Sequence, residues 1–468
     1  MANHALQPPT TPLASPAPIA AAGFAGALLA GLLLARDVQI GVAVMLAVLY
    51  VPIVMLNLPL GLVLWIPLIF VERLPATSFG PTLVLMLVGA AWLGALPMRS
   101  ALVGAFARRH QVLLWLLLLM LVWITLSIFW SQNAEAAVED FWAWWVAGAA
   151  FFVVATSFAD RRYLPLACAA FVAGAVISLA VGLVPGAIDR AAVGGELAAD
   201  EASRLGGSYG DPNFLAAGLV PAMALAAGLT AVYRGRAARW VLGSAVVILG
   251  IGLAATGSRG GLVAAGVSVL AALVLARGRR VELGALVALG VTVTGLWVAT
   301  SSPETWERVR SFDTGTGRVD LWTIAGRMTA DHPIEGVGIN NFRSASAEYI
   351  RQPGRLQDVE VIVERPLVAH NTYLQQFAET GIVGAILLIT VLLGGLRATW
   401  QAGRRFTLGG DARMAGLARA LLVAQVAVLS ASIFMSNGYD KRIWVLLALG
   451  VAMFTVAVRD DEARQARG

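Results

Sequence analysis

Charge, cysteine and lysine are all scarce in this chain. Only 13% of its 468 residues are charged, and 58% are hydrophobic. A soluble domain carries about 25% charged residues, so the surface of a soluble protein this long could not be built from what is here. The single cysteine, Cys168, excludes an internal disulfide framework. The four histidines (His4, His110, His332 and His370) are scattered without metal-ligand spacing, so neither a structural metal nor a cofactor is expected. Lys441 is the one lysine, and the net charge of +6 is nearly all arginine. The arginines fall in short clusters between apolar runs, which argues against nucleic acid as a partner.

What is abundant is apolar sequence. Runs near twenty residues recur from end to end, the mark of a polytopic all-α membrane protein. Residues 1–18, rich in proline and small residues, read as a disordered tail without the positive start of a secretory signal. Spans are expected at about 19–35, 38–55, 57–71, 79–97, 111–130, 141–158, 164–185, 212–232, 240–256, 260–276, 283–300, 371–396, 414–435 and 442–458. This gives 12–14 transmembrane helices: eleven within 19–300, then a long loop at 301–370, C-terminal helices over 371–458 and a short tail at 459–468.

Arginine placement sets the orientation. "RSALVGAFARRH" (99–110), "DRR" (160–162), "YRGRAAR" (233–239), "ARGRR" (276–280), "LRATWQAGRRF" (396–406) and the C-terminal tail fall on one side. By the positive-inside rule that side is cytoplasmic. The acidic turn "SQNAEAAVED" (131–140) and the long segments 186–211 and 301–370 fall on the other. Within the last, Leu321, Ile324, Ala325 and Met328 share one helical face, closed by Pro333. Such a helix either lies on the membrane surface or caps a cavity, or packs as an ordinary loop helix.

From Trp240 to Ala276 the only charge is Arg259. Thirty-seven helical residues would span about 55 Å, too long for one crossing. The run must therefore fold back at "TGSRGG", where Gly257, Gly260 and Gly261 permit a tight connection. Arg259 then sits at the tip of a hairpin; at the bilayer centre it would cost at least about 2.5–3.5 kcal/mol. Taken alone it fits an interfacial arginine with a snorkelling stem. Parity adds a second reading. Two spans separate "RLGGSYGDPN" from Arg259, and two more separate Arg259 from "AHNTYLQQFAETG". Arg204, Arg259 and His370 therefore share one face, each at a span end.

His370 opens an apolar helix that carries Asn371, Gln375 and Glu379 at spacings of four, a single polar stripe. Such a stripe faces a cavity or hydrogen-bonds a partner helix. Two arginines converging on one site suit a pyrophosphate, because guanidinium binds phosphate oxygens bidentately and stays charged. A histidine near pKa 6.5 can take a proton from a sugar hydroxyl. The set suits transfer from a lipid diphosphate to an alcohol without a metal.

"TGSRGG", "GRVDLW…HPIEGVGINNF" and "AHNTYLQQFAETGIVG" resemble the O-antigen ligase and O-antigen polymerase superfamily of bacterial inner-membrane glycosyltransferases. The resemblance is strongest from about 204 to 395; the first 185 residues match only as hydrophobic spans. It implies twelve or more helices, a donor glycan on undecaprenyl diphosphate, a periplasmic site and metal-independent inverting transfer. The family's essential histidine falls on His370 and its "SRG" arginine on Arg259. Its arginine before "NPN" falls on Arg204, although this chain reads Asp211, Pro212, Asn213. Its "GR..LW" arginine falls on Arg318, for which a salt bridge to Asp320 is an equal reading. Lipid A–core, or a growing glycan in a polymerase, is the implied acceptor, with membrane lipids around it. A transporter of lipid-linked sugars would instead show internal repeats and midplane polar sites.

Overall fold

The computed structural model describes residues 48–71, 80–184, 204–275, 318–354, 356 and 368–467. The chain divides into two compact units, residues 1–61 and 62–468. The first, described from residue 48, is helical. No strand occurs among the described residues, and the helices in order are α1 (Leu58–Trp65), α2 (Gly80–Arg109), α3 (Gln111–Leu126), α4 (Ala134–Ser157), α5 (Tyr163–Gly182), α6 (Pro212–Val232), α7 (Arg236–Thr256), α8 (Arg259–Leu275), α9 (Arg318–Asp331), α10 (Phe342–Ile350), α11 (Thr372–Leu408), α12 (Ala412–Ala431) and α13 (Lys441–Gln465). Nine described helices are long and apolar enough to cross a membrane, and α8 is a shorter apolar helix. The chain is an all-α, multi-pass membrane protein. The spans expected at 19–35 and 283–300 lie outside the described residues.

Helix ends depart from the expected spans in two informative places. Helix α4 begins at Ala134, seven residues before the expected span, because Asn133 Oδ1 accepts from Ala136 N at 3.1 Å and caps it. Glu139 and Asp140, read from sequence as an outer turn, are therefore in the second turn of a span. Helix α11 is broken at Gly381, whose φ of 64° and ψ of −169° are not helical. A side chain there would meet the carbonyl of Ile334, so glycine is required on both counts.

The break has a use. Carbonyls that an intact helix would bond internally are free, and the loop after α9 fills them. Val337 N donates to Ala378 O at 2.9 Å and Gly338 N to Glu379 O at 2.8 Å, while Ile382 N donates back to Pro333 O at 2.9 Å. Trp123 Nε1 of α3 donates to Thr380 O at 2.9 Å. The two sequence stretches "HPIEGVG" and "ETGIVG" are thus halves of one contact. The loop continues onto α4, where Asn341 Oδ1 accepts from Asn133 N at 2.7 Å and Asn340 Nδ2 donates to Ala136 O at 2.9 Å. Its backbone N–H groups are spent on protein, so "GVGINNF" is a docking turn into α10 and not a phosphate cradle.

Helix α9 packs as its periodicity foretold. Leu321, Ile324, Ala325 and Met328 are fully buried, joined by Val337, Phe342, Ala345, Tyr349, Ala369 and Ala378 in one cluster. Leu321, Ile324, Met328, Val337 and Phe342 each contribute roughly 1.5–3 kcal/mol by leaving water. The apolar face is therefore a packing face against α10 and the start of α11, and does not lie on lipid.

The opposite ends of the helices carry a separate ion-pair network. Arg109 pairs with Glu462, Arg161 with Asp411 and Asp460, and Asp461 with both Arg405 and Arg464. These residues come from the connections 99–110 and 160–162, from the stretch 405–411 where α11 gives way to α12, and from the C-terminal tail. Segments assigned to one side by counting spans do meet on one side.

Candidate functional site

Three chain segments build the site. The first is the hairpin tip between α7 and α8. Gly257 has φ of 57° and closes α7. Gly260 and Gly261 allow close approach, since a Cβ would stand 2.7 Å from Phe434 and 2.6 Å from Ala216. Arg259 opens α8, half-buried.

The second is the segment leading into α6. Arg204 Nε donates to the carbonyl of Thr256 at 2.7 Å, and Leu205 N to Ala255 O at 3.2 Å. Arg204 is therefore fastened to the hairpin that carries Arg259. Asp211 caps α6, its Oδ1 accepting from Asn213 N at 2.7 Å, with Pro212 at the first helical position. Ser258 Oγ donates to Asn213 Oδ1 at 2.7 Å. The "DPN" triplet thus bonds the "SRG" tip directly.

The third is the entry to α11. His370 is half-buried with φ of 47°, in the left-handed region. It shares that conformation with only Asn340 among the described non-glycine residues. Non-glycine residues enter it at a cost that the surroundings must offset. The surroundings do so from two sides. Trp322 Nε1 of α9 donates to Ala369 O at 3.1 Å. Thr372 Oγ1 bonds Met435 O at 2.7 Å and Asn437 Oδ1 at 2.9 Å. The "GR..LW" element therefore fixes the backbone beside His370 through its tryptophan. Arg318, one turn earlier on α9, brings charge to the same place. Burial, the Arg318 charge and the Arg343 charge push His370 down to about 4, while Asp211 pulls the other way. His370 is neutral at pH 7. Asp211 of "DPN" is thus near enough to His370 for its charge to act there.

The polar stripe on α11 divides in two. Asn371 is buried and engaged as the N-cap, accepting from Tyr373 N at 3.0 Å and Leu374 N at 3.1 Å. Gln375 and Glu379 line a polar cavity of about 190 Å³ together with Glu139, Asp140 and Trp144 of α4, Arg343, Tyr439 and others. Gln375 Nε2 donates to Glu379 Oε1 at 3.0 Å, which also accepts from Phe342 N at 3.2 Å.

Sequence reasoning missed Asp140, Trp144 and Arg343 as cavity residues. The one available signal was Asn133, a helix-capping residue three positions before Ala136 that moves the start of α4 outward. The charged stretch "DKR" (440–442) stands at the start of the last span. In the structure Arg442 is 2% exposed. It pairs with Asp440, donates from Nη1 to Phe214 O at 2.9 Å, and lies 4.6 Å from the ring centre of Tyr209. That arginine is a buried tie between α13 and α6.

Residues 244–389 match the family model described as O-Antigen ligase. A comparison with curated proteins finds no match. The matched region runs from α7 through the hairpin tip, the loop with α9 and α10, and the first half of α11 past His370. It therefore spans Arg259, Arg318, His370 and the kink at Gly381, the parts whose geometry is described above. Residues 244–389, under a third of the chain, are therefore similar to the O-antigen ligase family, in line with the resemblance that their motifs carry.

Proposed function

We propose that this protein transfers a glycan from undecaprenyl diphosphate to a sugar hydroxyl of lipid A–core, on the periplasmic face of the bacterial inner membrane. The observation that carries this reading is the pair of hydrogen bonds joining Arg204, the Arg259 tip and "DPN", with the charge of Asp211 acting on His370. In the transfer the acceptor oxygen attacks the anomeric carbon, from the side opposite the diphosphate. The bond from that carbon to the phosphate oxygen breaks, and the electron pair leaves with undecaprenyl diphosphate. The acceptor proton passes to the neutral imidazole of His370. Arg204 and Arg259 stabilise the negative charge gathering on the leaving diphosphate. Attack from the far side inverts the anomeric configuration, and this step needs no metal ion.

Free His370 is a weak base because burial and two arginines disfavour its cation. A diphosphate bound by Arg204 and Arg259 adds negative charge near His370 and raises its basicity when the acceptor must be deprotonated. This couples the base to the presence of donor.

The same geometry serves a polymerase that extends an O-antigen or exopolysaccharide, since only the acceptor differs. Deleting the gene and resolving the lipopolysaccharide on a gel separates the readings. Full-length polymer left on its lipid carrier is the expected result. Core bearing a single repeat would mean a polymerase, and an unchanged ladder with lost capsule would mean an exopolysaccharide enzyme. An unchanged ladder with no lost glycan would remove the transfer reading.

A further inference from the structure

The cavity beside the α11 kink is built from parts that no step above uses. Glu139, Asp140 and Glu379 supply three carboxylates against one guanidinium, that of Arg343. Tyr439 hydrogen-bonds Asp140, and Asp140 and Glu379 are close enough to act on each other's charge. A phosphate or diphosphate entering here would find one guanidinium among three carboxyl groups, a poorer match than the two cations of Arg204 and Arg259.

A second observation points to a ligand of another kind. Three lining residues carry buried polar atoms without a hydrogen-bond partner: Trp144 Nε1, Gln375 Oε1 and Ser436 Oγ. Trp144 is only 2% exposed. Buried polar atoms are nearly always partnered, so three on residues lining one cavity call for an explanation. They are a donor, an acceptor and a hydroxyl that does both. Together with carboxylates they match a ring of hydroxyl groups, each of which also donates and accepts. The ring of Tyr439, itself packed on Trp144, adds an apolar surface of the sort that packs against sugar C–H bonds. Val368 and Thr372, two residues to either side of His370, line the same cavity, and the charge of Arg343 acts on both His370 and Asp140.

We infer that this cavity is the acceptor subsite, seating one hydroxyl-rich sugar ring without phosphate or carboxylate substituents so that a free hydroxyl faces His370. The inference rests on the transfer reading and goes beyond it by separating donor from acceptor. Diphosphate lies on the side of Arg204 and Arg259, and the acceptor ring lies among Asp140, Trp144, Gln375, Glu379 and Ser436. The carboxylates accept from sugar hydroxyls and reject anionic rings.

The test uses the full-length protein in lipid nanodiscs, in a Cys168→Ser background carrying Ser436→Cys. Its labelling by a small thiol reagent is timed with methyl glucoside, methyl glucuronide or inorganic pyrophosphate present. Methyl glucoside should slow labelling, and methyl glucuronide and pyrophosphate should not. Adding Glu379→Gln or Trp144→Phe should remove the protection. The milder Trp144→Phe keeps the test alive if Glu379→Gln does not fold. In turnover, Glu379→Gln should raise KM for acceptor by about tenfold or more, with KM for donor unchanged. Protection by pyrophosphate would overturn the assignment, as would no protection by any sugar, which would mean a cavity that holds water only. Labelling reads the cavity without catalysis, whereas the deletion gel reads transfer without the cavity. Failure of one leaves the other standing.

Discussion

Arg204 donates from Nε to the carbonyl of Thr256 at 2.7 Å, the last residue of α7 before the "GSRG" turn. One face of the guanidinium is thus fixed to the hairpin that carries Arg259, although the two arginines are fifty-five positions apart. Two cations on one rigid support lose little freedom when a diphosphate arrives.

Arg259→Lys should nearly abolish transfer with expression intact, because a point charge does not replace a planar fork. Arg204→Lys should also loosen the hairpin tip, since its Nε contact is lost. Turnover by the purified variants checks both, and full activity in Arg259→Lys would refute a phosphate clamp.

The pH profile has a definite sign. With His370 held near 4 in the free protein, kcat/KM should stay flat as pH falls from 8 to about 5 and drop only below that. Bound diphosphate raises the histidine, so the acid limb of kcat should lie at higher pH. For stability, the unfolded chain takes up this proton near pH 6.5 and the folded one near 4. The contribution of His370 is therefore present above pH 6.5 and is lost as pH falls through that window. A kcat limb at lower pH than the kcat/KM limb would contradict the coupling of base to donor.

His370→Asn should lose turnover but keep its melting temperature and its donor binding, because asparagine tolerates the left-handed conformation. His370→Val should lose turnover and also destabilise the protein by about 1–2 kcal/mol, because a branched side chain does not. Equal melting temperatures for the two would remove the argument that α9 and the turn after α12 hold this residue under strain.

Asp440 and Arg442 form a buried pair. Burial alone would raise Asp440, and Arg442 overcomes it and holds the carboxyl below its ordinary value. Arg442→Met should cost about 3–5 kcal/mol because it strands the carboxylate. Adding Asp440→Asn should recover much of that loss. Thermal denaturation in detergent reads the cycle, and strict additivity would show that the two residues do not act as a pair.

Thiol labelling tests the two faces. In the Cys168→Ser background, cysteines placed at 204, 259 and 370 should react from the periplasm. A cysteine placed at 161, in the ion-pair network with Asp411 and Asp460, should react only from the cytoplasm. Labelling of any of the first three from the cytoplasm would break the shared-face arrangement.

Span positions were legible because a bilayer imposes one length and one polarity on every crossing, so Pro212–Val232 could be placed to the residue. Arg259 at a hairpin tip followed from the same arithmetic of length. The shared face of Arg204, Arg259 and His370 followed from parity, which needs no side-chain geometry. The face of α9 was readable from its period.

Other features depend on contacts between segments far apart in the chain. The kink at Gly381 looks like helix until the "HPIEGVG" loop is seen to occupy its carbonyls. Asp140 looks like an outer turn until Asn133 caps the helix and Asn341 binds it from another element. Arg442 looks interfacial until Asp440, Phe214 and Tyr209 surround it. Local hydropathy and spacing mark which segments are long and apolar enough to cross a membrane. Which emergent side chains share a cavity is decided by tertiary packing, because hydrogen bonds between distant segments leave no period in the chain.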